Sequence, residues 1–135
     1  MELIKDDLFN SNYSLCHCVS VDLKMGAGIA VEFKKRFEQV GKLVEQNPEI
    51  DKAIYLKDGN RYIFYLITKE RYWEKPTYNS LNKCLINLYK LCKEFNITHL
   101  SMPKIGCGLD RLEWDKVKVL IENIFTDIKI NIYYL

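Results

Sequence analysis

Glycine is scarce in this chain, at 6 of 135 residues, and proline is scarcer, at 3. That excludes a collagen-like or low-complexity chain. Histidine occurs only 2 times, and no CxxC pair occurs among the 5 cysteines, so the common zinc patterns are absent. Charge of one sign is lacking too: 20 basic residues face 18 acidic ones, a net charge of +2. A dedicated electrostatic nucleic-acid binder, which carries a strongly basic face, is not expected. A small anion held locally is still compatible with that balance. No run approaches the roughly 20 apolar residues that a membrane span needs. What remains is globular: 48% hydrophobic and 28% charged residues. A chain of this size buries roughly two thirds of its unfolded surface, so one domain, residues 1–135, is expected.

The odd cysteine count and the start Met1-Glu2-Leu3-Ile4-Lys5-Asp6, which does not look like a signal peptide, point to a reducing cytoplasm. Cys16-His17-Cys18 lies in a predicted strand, where alternation sends His17 to the face opposite both cysteines. A metal centre is therefore not expected, and the thiols read as small buried hydrophobes.

The periodicities alternate between strand and helix. Strands are predicted at Leu15–Val19, Ala53–Leu56, Arg61–Thr68, Thr98–Met102 and Ile128–Tyr134. Helices are predicted from Ala27 to Phe37, over Leu43–Gln46, from Pro76 or Thr77 to Phe95, and from Trp114 to Phe125. Asp58-Gly59 is a hairpin signal between two of the strands. The run Tyr62 to Ile67 is apolar on both faces, so its strand should be central and covered twice. The fold class is α/β: three layers, α/β/α, around a mixed sheet.

The few glycines are concentrated. Gly26 and Gly28 lie in Met25-Gly26-Ala27-Gly28-Ile29, and Gly106 and Gly108 lie in Lys104-Ile105-Gly106-Cys107-Gly108-Leu109-Asp110. Each pair follows a strand and precedes a helix, where free backbone N–H groups bind phosphate. The first matches neither a Rossmann nor a Walker pattern, and a tight packing turn would explain it alone. Two such loops at the carboxyl ends of strands suggest a cleft with two walls for a diphosphate. Asp110 in the second loop reads either as a helix cap or as a group facing sugar or a proton-transfer partner. Lys75 precedes Pro76 at a helix start. The positive end of the helix dipole disfavours the ammonium form and suits a nucleophilic amine, although lysines at such places are commonly just solvated.

Several stretches carry a family likeness: Asp7-Leu8-Phe9, His17-Cys18-Val19-Ser20, Met25 to Ala30, Phe33-Lys34-Lys35, Tyr65-Leu66-Ile67-Thr68-Lys69, Lys75-Pro76-Thr77-Tyr78 and Leu100 to Leu112. With these the chain resembles a macrodomain of the terminal ADP-ribose protein glycohydrolase branch. Ser20 to Lys24 stand where most other macrodomains have an asparagine-rich loop. The resemblance implies a macrodomain fold and ADP-ribose as ligand. It implies cleavage of the ester between mono-ADP-ribose and an acidic side chain of a protein, or of O-acetyl-ADP-ribose. Lys75 is then the nucleophile and Asp110 the proton-handling residue, with no metal and no cofactor. Binding positions implied are Leu8, Ser20, Gly26, Ala27, Gly28, Ile29, Thr77, Lys104, Ile105, Gly106, Cys107, Gly108, Leu109 and Leu135. A monomer acting away from membranes is expected. Removal of ADP-ribose from thymidine bases in DNA, and a non-catalytic ADP-ribose reader, are the alternatives.

Overall fold

Strand alternation builds two cores on one sheet. In a computed structural model covering residues 1–135, the strands are β1 (Glu2–Lys5), β2 (Ser14–Ser20), β3 (Ala53–Asp58), β4 (Arg61–Lys69), β5 (His99–Met102) and β6 (Lys129–Tyr134). The helices are α1 (Ile29–Phe37), α2 (Val40–Val44), α3 (Tyr78–Glu94) and α4 (Trp114–Ile124), and a single 3-10 turn spans Leu8–Asn10. The six strands lie in the order β1-β6-β5-β2-β4-β3. Only β3 and β4 pair antiparallel, through the Asp58-Gly59 turn.

In β4, Phe64 and Leu66 point to the layer of α3 and α4. Ile63, Tyr65 and Ile67 point to the layer of α1 and α2. The first layer meets the α3 stripe Leu81, Cys84, Leu85, Leu88 and Cys92, together with Val117 and Ile121 of α4. The second layer meets Phe33 and Leu43. These side chains are spaced three or four residues apart on their helices, as one buried helical face requires. Full burial of a single leucine is worth about 2 kcal/mol, so the α3 stripe is the main anchor of its layer.

The predicted elements are all present, with shifted ends. The first helix starts two residues late, at Ile29 after Gly28, and α2 starts three residues early. β1 was not predicted. Its four residues carry Glu2 and Lys5 at the ends and are mostly exposed, so no apolar alternation announces it. It forms because β6 offers an unpaired edge, against which it runs parallel from Glu2–Asn131 to Lys5–Tyr134.

His17 and its neighbouring cysteines divide between faces as strand alternation demands. Its ring stacks on Phe33 with centroids 3.7 Å apart and meets the edge of Tyr65 at 4.9 Å. Cys16 and Cys18 pack in the opposite core. Burial lowers the His17 pKa to about 3, so the imidazole is neutral. At the outer edge of the sheet, the Gln46 amide donates to the Tyr55 carbonyl at 2.7 Å and accepts from the Tyr55 N–H at 3.1 Å. The Asn87 carbonyl oxygen accepts from the Ala53 N–H at 2.7 Å.

Candidate active site

The parallel strands β2, β4 and β5 deliver three loops to the same end of the sheet. There a cleft of about 900 Å³ opens. Its first wall is the loop after β2 and the start of α1, with Gly26, Ala27, Gly28 and Ile29. Its second wall is the loop after β5, with Lys104, Ile105, Gly106, Gly108, Leu109 and Asp110. The loop after β4 closes one end with Lys69, Tyr72, Trp73 and Lys75.

The glycines divide into two kinds. Gly28 and Gly106 have φ of +61° and +71°, conformations that side chains rarely adopt. A Cβ on Gly106 would also stand 2.9 Å from Leu112 Cδ1. These two are required by the turns themselves. A Cβ on Gly26 or Gly108 would meet nothing within 4 Å, so the protein leaves that space open. The walls approach each other at the rim, where Leu109 Cδ1 would lie 3.6 Å from a Cβ on Gly28. α1 begins at Gly28 with no side-chain cap. The N–H groups of Gly26, Ala27, Gly106 and Gly108 find no backbone acceptor. Free N–H groups from both walls suit an extended diphosphate.

At the β4 end, Lys69 Nζ donates to Asp110 Oδ1 at 2.8 Å. Their side chains are only 13% and 19% exposed. β2 and β4 create the position: Ser20 and Lys69 are register partners across a bulge at Val19/Ser20. Ser20 lines the cleft and donates through its hydroxyl to Asp22. Burial would raise the Asp22 pKa, but hydrogen bonds from the Ser20 hydroxyl and the Tyr72 and Lys24 N–H groups outweigh it and hold the carboxyl below its ordinary value.

A second lobe of about 750 Å³ continues past Ile29, Lys104 and Gly108, which it shares with the cleft. Leu8, Cys107 and Leu135 line this lobe. Cys107 donates its thiol to the Ile105 carbonyl at 3.3 Å, and burial raises its pKa to about 11.

A family model described as Macro domain matches residues 16–121. The chain belongs to the macrodomain family. It is 50% identical over 136 residues to the human ADP-ribose glycohydrolase OARD1, covering 98% of this chain and 90% of that protein. Its fold superposes on the macrodomain of Mycobacterium tuberculosis DarG with a TM-score of 0.88 at 23% identity, covering 98% of this chain and 97% of that one. The Thermosipho africanus DarTG structure in complex with ADP-ribose superposes with a TM-score of 0.85 at 24% identity, covering 97% of this chain and 40% of that one.

The cleft and its lobe bring together the expected site residues, Lys75 included, with the exception of Thr77. Asp110 does not cap α4; Glu113 holds the N-cap position, without a side-chain capping bond. The amine that meets Asp110 belongs to Lys69, which was not singled out in the sequence, and not to Lys75. Lys75 Nζ donates to the Leu109 carbonyl at 2.8 Å and is exposed, so it holds the rim of the second glycine loop. Thr77 takes a local role. It is the N-cap of α3, its hydroxyl accepting from the Ser80 N–H at 3.0 Å, and it lies outside the cleft lining. The available signal for Lys69 was its place at the carboxyl end of the most apolar strand, where α/β sheets bind ligands.

The two kinds of glycine separate binding from folding. Gly26→Val is expected to keep the melting temperature within about 2 °C of the wild type and to weaken ADP-ribose binding at least tenfold by calorimetry. Gly106→Val should lower the melting temperature by several degrees as well, because backbone conformation and the Leu112 contact are both violated.

Proposed function

We propose that this macrodomain is an ADP-ribose glycohydrolase that releases mono-ADP-ribose from ester links to acidic protein side chains, and cleaves O-acetyl-ADP-ribose. The observation that carries the reading is the Lys69–Asp110 contact at the closed end of a glycine-walled cleft. The 50% identity with the human ADP-ribose glycohydrolase supports the same reaction class. In this reading the diphosphate lies between Gly26–Gly28 and Gly106–Gly108. The adenosine enters the lobe lined by Leu8 and Leu135, and the distal ribose reaches Lys69 and Asp110.

The chemistry needs a deprotonated amine, and Asp110 is the proton acceptor 2.8 Å from Lys69. The amine forms a bond to the anomeric carbon of the distal ribose while the bond from that carbon to the acyl oxygen breaks. The acceptor carboxylate leaves with both of its oxygens. The nitrogen loses its surplus proton to the departing carboxylate, and Asp110 gives the proton it took from the Lys69 ammonium to the ring oxygen as the ring opens to an iminium. Water then adds to the iminium carbon, the amine departs, and ADP-ribose closes again. No metal enters the sequence of steps. Lys75 serves by holding Leu109 and the rim in place.

The deciding experiment offers purified protein an ester-linked mono-ADP-ribosylated peptide and, separately, a single-stranded DNA bearing ADP-ribosyl-thymidine. Release of ADP-ribose from the peptide, at an unchanged rate in a chelator, is the expected result. Release from the DNA alone would replace this reading with the nucleic-acid one. Tight binding of ADP-ribose without any release would leave a reader.

A further inference from the structure

We infer that the loop from Glu70 to Glu74 is an acceptor-binding wall, which grips the polypeptide next to the modified carboxylate through Trp73 and Tyr72. The inference rests on the hydrolase reading and names what that reading leaves open, namely how the substrate beyond ADP-ribose is recognised.

Trp73 and Tyr72 are 64% and 54% exposed, the two most exposed aromatic residues of the chain. Neither belongs to a hydrophobic core. Large aromatic surface left in water beside a cleft marks a contact site, because burial of such rings on binding is strongly favourable. Lys69 and Lys75 bracket the loop in sequence, and their amines reach Asp110 and Leu109. The rings therefore stand at the end where the acyl group departs, away from the lobe of Leu8 and Leu135. The glycine walls and the lobe already account for the diphosphate and adenosine, so the aromatic end faces what those groups are attached to.

The loop is held in place before any substrate arrives. The Tyr72 N–H donates to Asp22 Oδ2 at 3.0 Å. The Arg71 N–H donates to Glu74 Oε1 at 2.6 Å, and the Glu74 N–H donates back to the Arg71 carbonyl at 3.1 Å. The two rings meet edge to face at 5.1 Å. Lys24 Nζ lies 5.9 Å from the centre of the Tyr72 ring, and the Arg71 guanidinium lies 5.9 Å from the centre of Trp73. A preordered aromatic pair binds with little further loss of side-chain freedom.

The charge of the loop selects the occupant. Glu70 and Glu74 are exposed within the same five residues as Arg71. The loop offers two carboxylates and one guanidinium, not the run of cations on which a phosphodiester backbone sits. A peptide carries no such repeating charge, and an apolar or aromatic side chain beside the modified acid fits the rings.

The test compares Trp73→Ala, Trp73→Phe and wild type on three probes: an ester-linked mono-ADP-ribosylated peptide with a leucine next to the modified glutamate, O-acetyl-ADP-ribose, and single-stranded DNA bearing ADP-ribosyl-thymidine. Trp73→Ala is expected to lower kcat/KM on the peptide about tenfold, mostly through KM, with Trp73→Phe restoring most of it. Turnover of O-acetyl-ADP-ribose, which brings no polypeptide to the rings, should fall clearly less than turnover of the peptide. Equal losses on the peptide and the small ester, a loss confined to DNA, or no loss on any probe would each overturn the acceptor wall while leaving the hydrolase reading standing. A wild type that turns over none of the three would overturn both.

Discussion

Lys69→Ala abolishes turnover, and Lys75→Ala does not. That is the expected ranking in a single-turnover assay of ADP-ribose release. Loss of a covalent nucleophile should lower the chemical rate by about three orders of magnitude or more. Losing the Lys75–Leu109 bond should cost about tenfold or less, because the rim loosens while the reacting groups stay. Calorimetry should find ADP-ribose affinity within a few-fold of wild type for Lys69→Ala, which separates catalysis from binding. Asp110→Ala completes the series. It removes the partner of a lysine that is only 13% exposed, so turnover falls and the amine adduct is expected to accumulate, visible as a mass increase on the intact protein. The reverse ranking of the two lysines would return the nucleophile to Lys75.

Acid should destabilise the protein through His17 well before it protonates most carboxylates. The folded state holds this imidazole neutral, with its pKa at about 3 against 6.5 in the unfolded chain. Between those values the unfolded chain binds a proton that the folded one does not, so stability falls as pH drops from 6.5 towards 3. Each pH unit inside that window costs about 1.4 kcal/mol, and the drop from pH 7 to pH 4 should therefore cost about 3 kcal/mol from this residue. Urea unfolding at the two pH values measures it. His17→Phe, which keeps a flat ring against Phe33, removes the titration and should show a clearly smaller drop. Equal drops in the two proteins would mean that His17 is not held neutral.

The layers were legible because the physics that forms them is local. The doubly apolar run Tyr62–Ile67 announces a strand covered on both faces, although β4 lies next to the edge strand β3 and not at the centre, and the spacing Leu81, Cys84, Leu85, Leu88 and Cys92 announces the buried face of α3. The glycine loops were legible for a related reason. A chain with so little glycine places it where backbone must turn or leave room, and both loops do line one cleft. The Lys69–Asp110 contact was not legible because spacing along a chain carries no distance across it. Lys75 has visible local context in Pro76 and a helix start, whereas the meeting of Lys69 with Asp110, 41 residues apart, is made by strand register and a bulge. Thr77 has a local role as well, as the helix cap whose hydroxyl accepts from the Ser80 N–H. β1 escaped notice because it owes its existence to a neighbour's edge and not to its own residues.

The Gln46 amide completes the hydrogen bonding of Tyr55 as a neighbouring strand would. A sheet border whose middle is satisfied in this way is a poorer template for a stranger, which weakens strand addition there. The opposite border, β1, is four residues long and charged at both ends. Each molecule is thereby discouraged from polymerising edge to edge, so that its cleft and not its sheet border is the place of encounter.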